Sequence, residues 1–454
     1  MLRSKANFQE GAKKGQMLSF DKLVRMVEQR LEQLPDDRKG GNNTTYEIKD
    51  AALGALAVFF TQSPSFLAHQ KKMEETKGRS NASTLFGIER TPSTPQIRNL
   101  LDPVSPSEIY PIFRTIFEVL ADKGELAQFR AYNDSLLVAL DGTQYFSSQK
   151  IHCSQCSQQQ LNNGQTLYSH KVVTAVVANP NLAHVLPLEP EFIRPQDGHN
   201  KQDCEIAAAK RWLKRCGASY GALNITLLGD DLYAHQPLCQ LVLQDKLNFI
   251  FVCKPDSHQK LYEWLDFLQA KPDEQLPTLI FRHWNGNFAE IWTYRYINQV
   301  PLRAGQQALD VNWCELTITR EETGQQLYLN SFVTNYHLTE NNVEAIVEAG
   351  RTRWKTENES NNILKNRGYH LEHNFGHGQQ FLSATLLTFN LLAFFFHTIL
   401  YLIDTRYQRL RQHLGARQTF FNDIRALTRY LCFDSWDHLL NFMIAQLELD
   451  TAPT

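Results

Sequence analysis

The sequence predicts an α/β protein whose mixed sheet is interrupted by a block of antiparallel strands and flanked by helical regions at both ends of the chain. Three observations carry this expectation. Apolar runs without alternation, Leu136-Leu137-Val138-Ala139-Leu140 and Ile225 to Leu228, read as strands buried on both faces. A helical stretch, KQDCEIAAAKRWLKRC, crosses between them, as α/β topology requires. Beyond residue 257 the segments TLIFRHW, AEIWTYRYI, NWCELTITRE and QQLYLNSFVTN alternate apolar and polar residues, with Gly286 and Gly324 as turn signals.

Composition bounds the rest. With 454 residues, 43% of them hydrophobic, the chain can bury a large core and divide into roughly two to four domains. Charged residues make up 21% and the formal net charge is −2, so a nucleic-acid surface must come from local clustering of Lys and Arg. Eight cysteines in a chain of this length do not suggest a disulfide framework. The opening MLRSKANFQEGAKKG is polar and basic, unlike a signal peptide, and a reducing cytoplasm is expected. Neither a P-loop nor a G-x-G-x-x-G occurs, so no nucleotide cofactor is indicated.

In chain order, residues 1–125 read as helical. FDKLVRMVEQRLEQL and YEIKDAALGALAVFF have helical spacing, and prolines punctuate TPSTPQIRNLLDPVSPSEIYPIFRTIFEVL. Lys13, Lys14, Arg25, Lys71, Lys72, Lys77 and Arg79 are scattered here. Each alone is a solvated charge; together they suit a small DNA-contacting helical region. Residues 130–257 form the first part of the α/β core: SLLVALD, HKVVTAVVAN and AHVLPL as strands, then the crossover helix, then NITLLGDDLY and KLNFIFVCKP. Residues 258–328 are the β insertion, 329–405 the second part of the core, and 406–454 a helical C-terminal region with a basic face. Phe381 to Ile403 contains no Asp, Glu, Lys or Arg and is long enough to span a bilayer. Ser383, Thr385, Thr388, Asn390, His397 and Thr398 interrupt it, and it reads as a buried central helix behind the sheet, with no membrane.

One pattern occurs twice. The strand ending at Leu140 runs into Asp141-Gly142, and the strand ending at Leu228 runs through Gly229 into Asp230-Asp231. A single Asp-Gly is an ordinary turn signal. Two carboxylates at the ends of core strands are less ordinary, because sites in open α/β sheets lie at the carboxyl ends of strands. If the strands are adjacent, Asp141 and Asp230 face one point, and they repel unless a cation lies between them. Oxygen ligands suit Mg²⁺. In RTRWKTENESNNILKNRGYH, Arg353 and Glu357 are four apart on one helical face, and Asn361 continues it. Alone, Glu357 is a surface partner of Arg353; beside two strand-end aspartates it is a third ligand.

At these residues the sequence resembles bacterial insertion-sequence transposases of the DDE type. One branch of that family has a β domain between the second Asp and the Glu. It also has a helical signature of Tyr, two residues, Arg, three residues, Glu, six residues, Lys. RWKTE matches the Arg-to-Glu part at Arg353 and Glu357, Asp230-Asp231-Leu232-Tyr233 resembles the segment around the second Asp, and Asp141 matches the first. The resemblance covers about residues 130–405. It implies an RNase H-like core with Asp141, Asp230 and Glu357 as catalytic ligands for two Mg²⁺ (or Mn²⁺) ions. It further implies cleavage of transposon ends and their joining to target DNA, with Arg353 on the scissile phosphate or terminal nucleotide. The implied partners are terminal inverted repeats, target DNA and a second copy of the chain on DNA. Two departures stand out: Gly350 occupies the Tyr position, and Lys365 lies eight residues beyond Glu357, which overshoots the helical face by about 80° at 3.6 residues per turn. Lys355 or Arg367 are then alternative phosphate contacts. Trp284, beside Gly286, is the aromatic of the β block expected to be exposed and to stack on a base. The alternatives are a metal-dependent RNase H-like nuclease that cuts without joining, and a domesticated DNA-binding regulator.

The remaining candidates are metal-like. Cys153 and Cys156 form a C-x₂-C that can bind zinc with His152, His170 or Cys204. No second close pair completes the pattern, and free thiols are the favoured reading. His370, His373 and His377 suit DNA-backbone contacts or loop capping. Asp203 or Glu205, at the start of the crossover helix, can add to the acidic site.

Overall fold

A computed structural model describes residues 19–36, 38, 45–73, 79–195, 203–220, 223–270 and 275–449. Lys13, Lys14 and Lys77 lie outside the described residues, as do the side chains of Lys71 and Lys72. Of the basic group near the N-terminus, Arg25 is exposed and Arg79 forms an ion pair with Asp434.

The chain divides into two compact units, residues 1–112 with 385–454, and residues 113–384. The sequence assigns the two helical ends to separate regions; the structure joins them in one unit. That unit contains α1 (Phe20–Leu31), α2 (Ile48–Phe60), α3 (Phe66–Met73), α4 (Asn81–Phe86) and α5 (Thr94–Leu101). In the second unit, α6 (Tyr110–Asp122) precedes the sheet, α7 (Glu205–Tyr220) and α8 (Gln236–Gln244) are crossovers, and α9 (Gln259–Gln269) follows them. Next come α10 (Val343–Arg351), α11 (Trp354–Thr356), a π-helical turn over Glu357–Asn361, and α12 (Asn362–Asn366). The chain closes with α13 (Leu382–Ile403), α14 (Thr405–His413), α15 (Arg417–Tyr430) and α16 (Trp436–Gln446).

In the helical unit an aromatic cluster supplies the core. The ring of Trp436 lies 4.3 Å from Phe20, 5.0 Å from Phe60 and 5.4 Å from Phe86, and its indole N–H donates to the Leu85 carbonyl. Helix α13 packs here, with Phe396 against Phe20 and His397 between Phe60 and Phe421. It is long and apolar enough to cross a bilayer, but 83% of its apolar window is buried within the protein. Two of the polar residues that interrupt its pattern bond within the unit: Thr385 donates to the Val104 carbonyl and Thr398 to that of Phe394. The sequence places this helix behind the sheet; these neighbours place it at the centre of the helical unit.

The second unit carries the sheet. Its strands are β1 (Leu136–Ser148), β2 (Ser157–Gln160), β3 (Thr166–Ala178), β4 (Leu186–Pro187), β5 (Glu191–Ile193), β6 (Ile225–Gly229), β7 (Asn248–Val252), β8 (Thr278–Trp284), β9 (Ala289–Pro301), β10 (Asp310–Arg320) and β11 (Gln326–Thr334). The order is β2-β3-β1-β6-β7-β11-β10-β9-β8, with β4 and β5 also on β3. Short links make β1 and β3 antiparallel, whereas the helical crossovers make β1, β6 and β7 parallel. The antiparallel block continues this sheet, because Phe332, Val333 and Thr334 of β11 pair with β7. Its boundaries differ from the sequence expectation at both ends. Residues 259–269 form α9, whose Leu261 and Leu265 are buried one helical turn apart, and β11 runs past Tyr328 to Thr334.

A buried carboxylate ties α6 and α7 to the β4–β5 link. Glu189, with a fully buried side chain, accepts from Arg114 Nε (2.7 Å), Tyr220 Oη (2.6 Å) and Cys216 Sγ (3.3 Å). Burial, reinforced by Glu189, pushes the Tyr220 hydroxyl well above its usual range, so it remains a donor. Glu189→Ala removes the ion-pair partner of Arg114 and the acceptor of Tyr220 and is expected to destabilise the unit by about 3–5 kcal/mol. Urea unfolding followed by circular dichroism measures this; a loss below about 1 kcal/mol would show that the clamp contributes little.

Candidate active site

The parallel pairing of β1 with β6 sets the site. Ala139 is in register with Leu228. Asp141 and Asp230 each follow two residues later, so they lie at the same level of neighbouring strands. The sequence reads Asp141-Gly142 as a strand end, but β1 continues through it to Ser148, and Asp141 pairs with Thr174 of β3. Only the parallel neighbour stops here. Gly142 is therefore not a turn residue. A Cβ at this position would meet Glu205 Oε2 at 2.1 Å, so the glycine admits the Glu205 side chain against the strand.

Glu205, at the start of α7, accepts from Gly142 N (3.0 Å) and Tyr233 Oη (2.7 Å). Burial raises its pKa, and nearby Asp230 adds to the rise. Asp230 Oδ1 accepts from Leu232 N at 2.9 Å. Asp231 is engaged elsewhere, with Lys254 N (2.7 Å) and Ser257 Oγ on the loop after β7.

Asp141 is the electrostatic centre. Its Oδ2 accepts from Asn361 Nδ2 at 2.9 Å, and its Oδ1 lies 3.8 Å from Arg353 Nη1. Asn361 is held in turn by Thr174 Oγ1 at 3.2 Å. The Asp141 carboxyl is pushed up to about 6 by burial; Arg353 opposes the shift, while Glu205, Asp230 and Glu357 add to it. Four carboxylates thus bear on one point, with Glu357 exposed at its edge.

The helical carboxylate arrives on irregular backbone. Glu357 opens the π-helical turn and Asn361 closes it. A π turn takes up an extra residue. Lys365, eight residues after Glu357, therefore stands near where the seventh would stand in an unbroken α-helix. The expected overshoot is absorbed by the backbone. Gly350 also has a local reason: a Cβ there would meet Phe332 and Ile250 at 2.8 and 2.9 Å, which leaves no room for the tyrosine of the resembled signature.

The proposed phosphate contacts differ in availability. Lys355 is buried, and its ammonium donates to the carbonyls of Asn179 and Pro180 (2.8 Å each) and of Leu182. Burial lowers its pKa. It fastens the helix to the β3–β4 loop and is not presented to a phosphate, which corrects the sequence expectation. Lys365 pairs with Glu372 at 3.2 Å, and Arg367 is exposed. A cleft of about 280 Å³ opens beside Arg353, lined also by Arg351, Trp354, Tyr328 and Asn330.

In the β block, Trp284 is 65% exposed, whereas Trp313 is buried and Trp292 lies under the Arg351 guanidinium at 5.1 Å. Arg282 and Arg295 are bound by Glu321 and Glu315, and Arg303 donates to Gln236. Strand β8 stands five places from β6, roughly 24 Å at ~4.8 Å per strand.

The C-x₂-C cysteines come together with two histidines. Cys153, Cys156, His170 and His377 present ligand atoms that all lie within 4.8 Å of one another. His152 instead stacks on Tyr168, and Cys204 is exposed. The sequence offers Cys153, Cys156 and His170, but assigns His377, 221 positions beyond Cys156, to DNA contact or capping. The sequence names Tyr233 only as part of the segment resembling that around the second Asp; its hydroxyl bond to Glu205 is set by the fold.

The elevated Asp141 pKa has a stability consequence. The folded carboxyl holds its proton up to about pH 6, against an ordinary value of 3.8. Folding is therefore favoured by this group at low pH and loses that support as pH rises through 6. With chelator present, Asp141→Asn should stabilise the chain at pH 7.5 by on the order of 1–3 kcal/mol, and the gain should vanish near pH 4. Thermal melts at the two pH values check this; an equal shift at both would contradict it. Compared with known proteins, the chain matches no family model and no curated protein.

Proposed function

We propose that the protein is a metal-dependent DNA transposase with an RNase H-like catalytic core. The observation that carries this reading is the meeting of Asp141 and Asp230, at one level of two parallel core strands, with a helix bearing Arg353, Glu357 and Asn361. The sheet supports it: antiparallel neighbours on one side of β1 and parallel, helix-linked strands on the other form a mixed core. The four-stranded block enters the chain between the second and third carboxylates, where the resembled branch has its insertion.

The donor set fits Mg²⁺ or Mn²⁺. It consists of carboxylate oxygens, which are hard ligands; burial raises Asp141 to about 6 despite Arg353, and repulsion from Glu205, Asp230 and Glu357 adds to the rise. Asp141, Asp230 and Glu357 would hold the ions, while the hydrogen bonds on Glu205 make it a support. Bound divalent ions supply Lewis acidity for activating the nucleophile and stabilising the leaving oxygen of an in-line displacement. The chain's own residues position the reactants. Asn361 fixes the Asp141 carboxylate, and the Arg353 guanidinium forks onto a phosphate at the mouth of the cleft lined by Trp354 and Tyr328. Water and a DNA 3′-hydroxyl are alternative nucleophiles for the same step, which unites cutting with joining. Partners are terminal inverted repeats, target DNA and a second copy of the chain on DNA, in a cytoplasmic setting.

Asp141→Asn, Asp230→Asn and Glu357→Gln are each expected to reduce Mg²⁺-dependent cleavage of inverted-repeat DNA by at least about 100-fold. DNA-end binding should persist in each, since phosphate contacts come mainly from Lys and Arg. Cleavage near the parental rate would remove that residue from the site. Pre-cut ends that fail to join to target DNA would favour the nuclease, and binding without any cleavage would favour the regulator. Trp284→Ala should slow end processing without changing the melting temperature, since the side chain is exposed. Normal cutting by a destabilised variant would make Trp284 a packing residue.

A further inference from the structure

We infer that Cys153, Cys156, His170 and His377 form a closed structural zinc site. Three separate segments meet there. Cys153 and Cys156 flank a tight turn between β1 and β2, in which Cys156 N donates to the Cys153 carbonyl at 3.2 Å. His170 lies on β3, and His377 on the segment between α12 and α13.

Four of the six distances between ligand atoms are those of a coordination tetrahedron, and the other two lie within 4.8 Å. Zinc bonds of ~2.3 Å to sulfur and ~2.05 Å to nitrogen at a tetrahedral angle imply edges of about 3.8 Å for S···S and about 3.6 Å for S···N. Cys153 Sγ and Cys156 Sγ are 3.9 Å apart. His170 Nε2 is 3.6 Å from Cys153 Sγ and 3.5 Å from Cys156 Sγ, and His377 Nε2 is 3.6 Å from Cys156 Sγ. A disulfide, with sulfurs ~2.05 Å apart, does not describe this pair. Both histidines point their Nε2 atoms at the sulfurs. Cys153 N donates to Cys156 Sγ at 3.5 Å, a bond that favours a thiolate. The rings of Tyr145 and Phe146 lie against His170, and Phe146 also against His377, which limits water access.

The site has a structural task. Fifteen residues between α12 and α13 contain no regular element, a length at which a connection inside a compact unit needs some other restraint. A metal bound at His377 ties this segment to the sheet immediately after the helix that carries Glu357 and Asn361. Four protein ligands leave no open position, so the role is structural and separate from the carboxylate cluster. The inference stands whether or not the protein acts on DNA.

The test is metal analysis of the full chain, purified without chelator from zinc-supplemented culture. About one zinc per chain is expected by mass spectrometry of the dissolved metal. Cobalt titration of the chelator-stripped chain should give the visible bands of a tetrahedral sulfur–nitrogen site. Cys156→Ser and His377→Ala should each lower metal content tenfold or more, whereas Cys204→Ser and His152→Ala should retain it. The inference is overturned if the parent chain carries under about a tenth of an equivalent and gives no cobalt spectrum. It is also overturned if His377→Ala keeps full metal with an unchanged cobalt spectrum, or if freshly purified chain shows a Cys153–Cys156 disulfide. The parent-chain cobalt titration does not depend on the variants folding.

Discussion

The parallel register between β1 and β6 is the constraint from which the candidate site follows. One residue of slip would turn either aspartate to the other face of the sheet, because side chains alternate with a period of two. The buried pairs Leu137–Thr226 and Val138–Leu227 hold the register. Hydrophobic burial on both faces of the sheet thereby fixes the relation of two charged groups that would otherwise repel. The groups around the pair both relieve that repulsion and add to it. Arg353 and Asn361 approach Asp141 from the helix, and Gly142 gives up its side chain so that Glu205 can approach. The raised Asp141 pKa comes first from burial, with the neighbouring carboxylates adding to it and Arg353 opposing it. A fold that sought stability alone would not gather these carboxylates, which is the ordinary signature of a functional site.

The helix bearing Glu357 shows how local irregularity serves position. Lys355 anchors it through three carbonyls, and Gly350 lets the preceding helix press directly onto Ile250 and Phe332. Between those anchors and Lys365 the backbone widens into a π turn. Such turns weaken a helix and persist where geometry demands them. Here the extra residue brings Lys365 back toward the face that carries Glu357 and Asn361. The proposed zinc site would then brace the segment leaving this helix, so both ends of the element would be tied to the sheet by contacts of different chemistry.

Charge on the antiparallel block is largely balanced internally. Arg282 and Arg295 are matched by Glu321 and Glu315, an arrangement that suits a folded sheet extension more than a bare cationic surface. The block's exposed large aromatics, Phe281 and Trp284, lie on β8, the outermost strand. Any grip on DNA by this block would act through aromatic surface at a distance from the carboxylates and not through a field of positive charge.

The sequence by itself determined the buried strands, the amphipathic helices, the alternating block and the order of the three carboxylates along the chain. These are properties of neighbouring residues: an apolar run or a 3.6-residue period states which face avoids water. It also marked Cys153 and Cys156, whose spacing is local. Tertiary structure decided the rest. Whether Asp141 ends a strand depends on β3 continuing beside it, and whether Gly142 makes a turn depends on Glu205, 63 residues away. Lys355 reads as a free cation until the loop carrying Asn179 closes over it. His377 joins Cys156 across 221 positions, and the two helical ends share one core through Phe20, Phe60 and Trp436. Such contacts form because elements pack where their apolar faces fit, and the fit is a property of the assembled chain that no local pattern records.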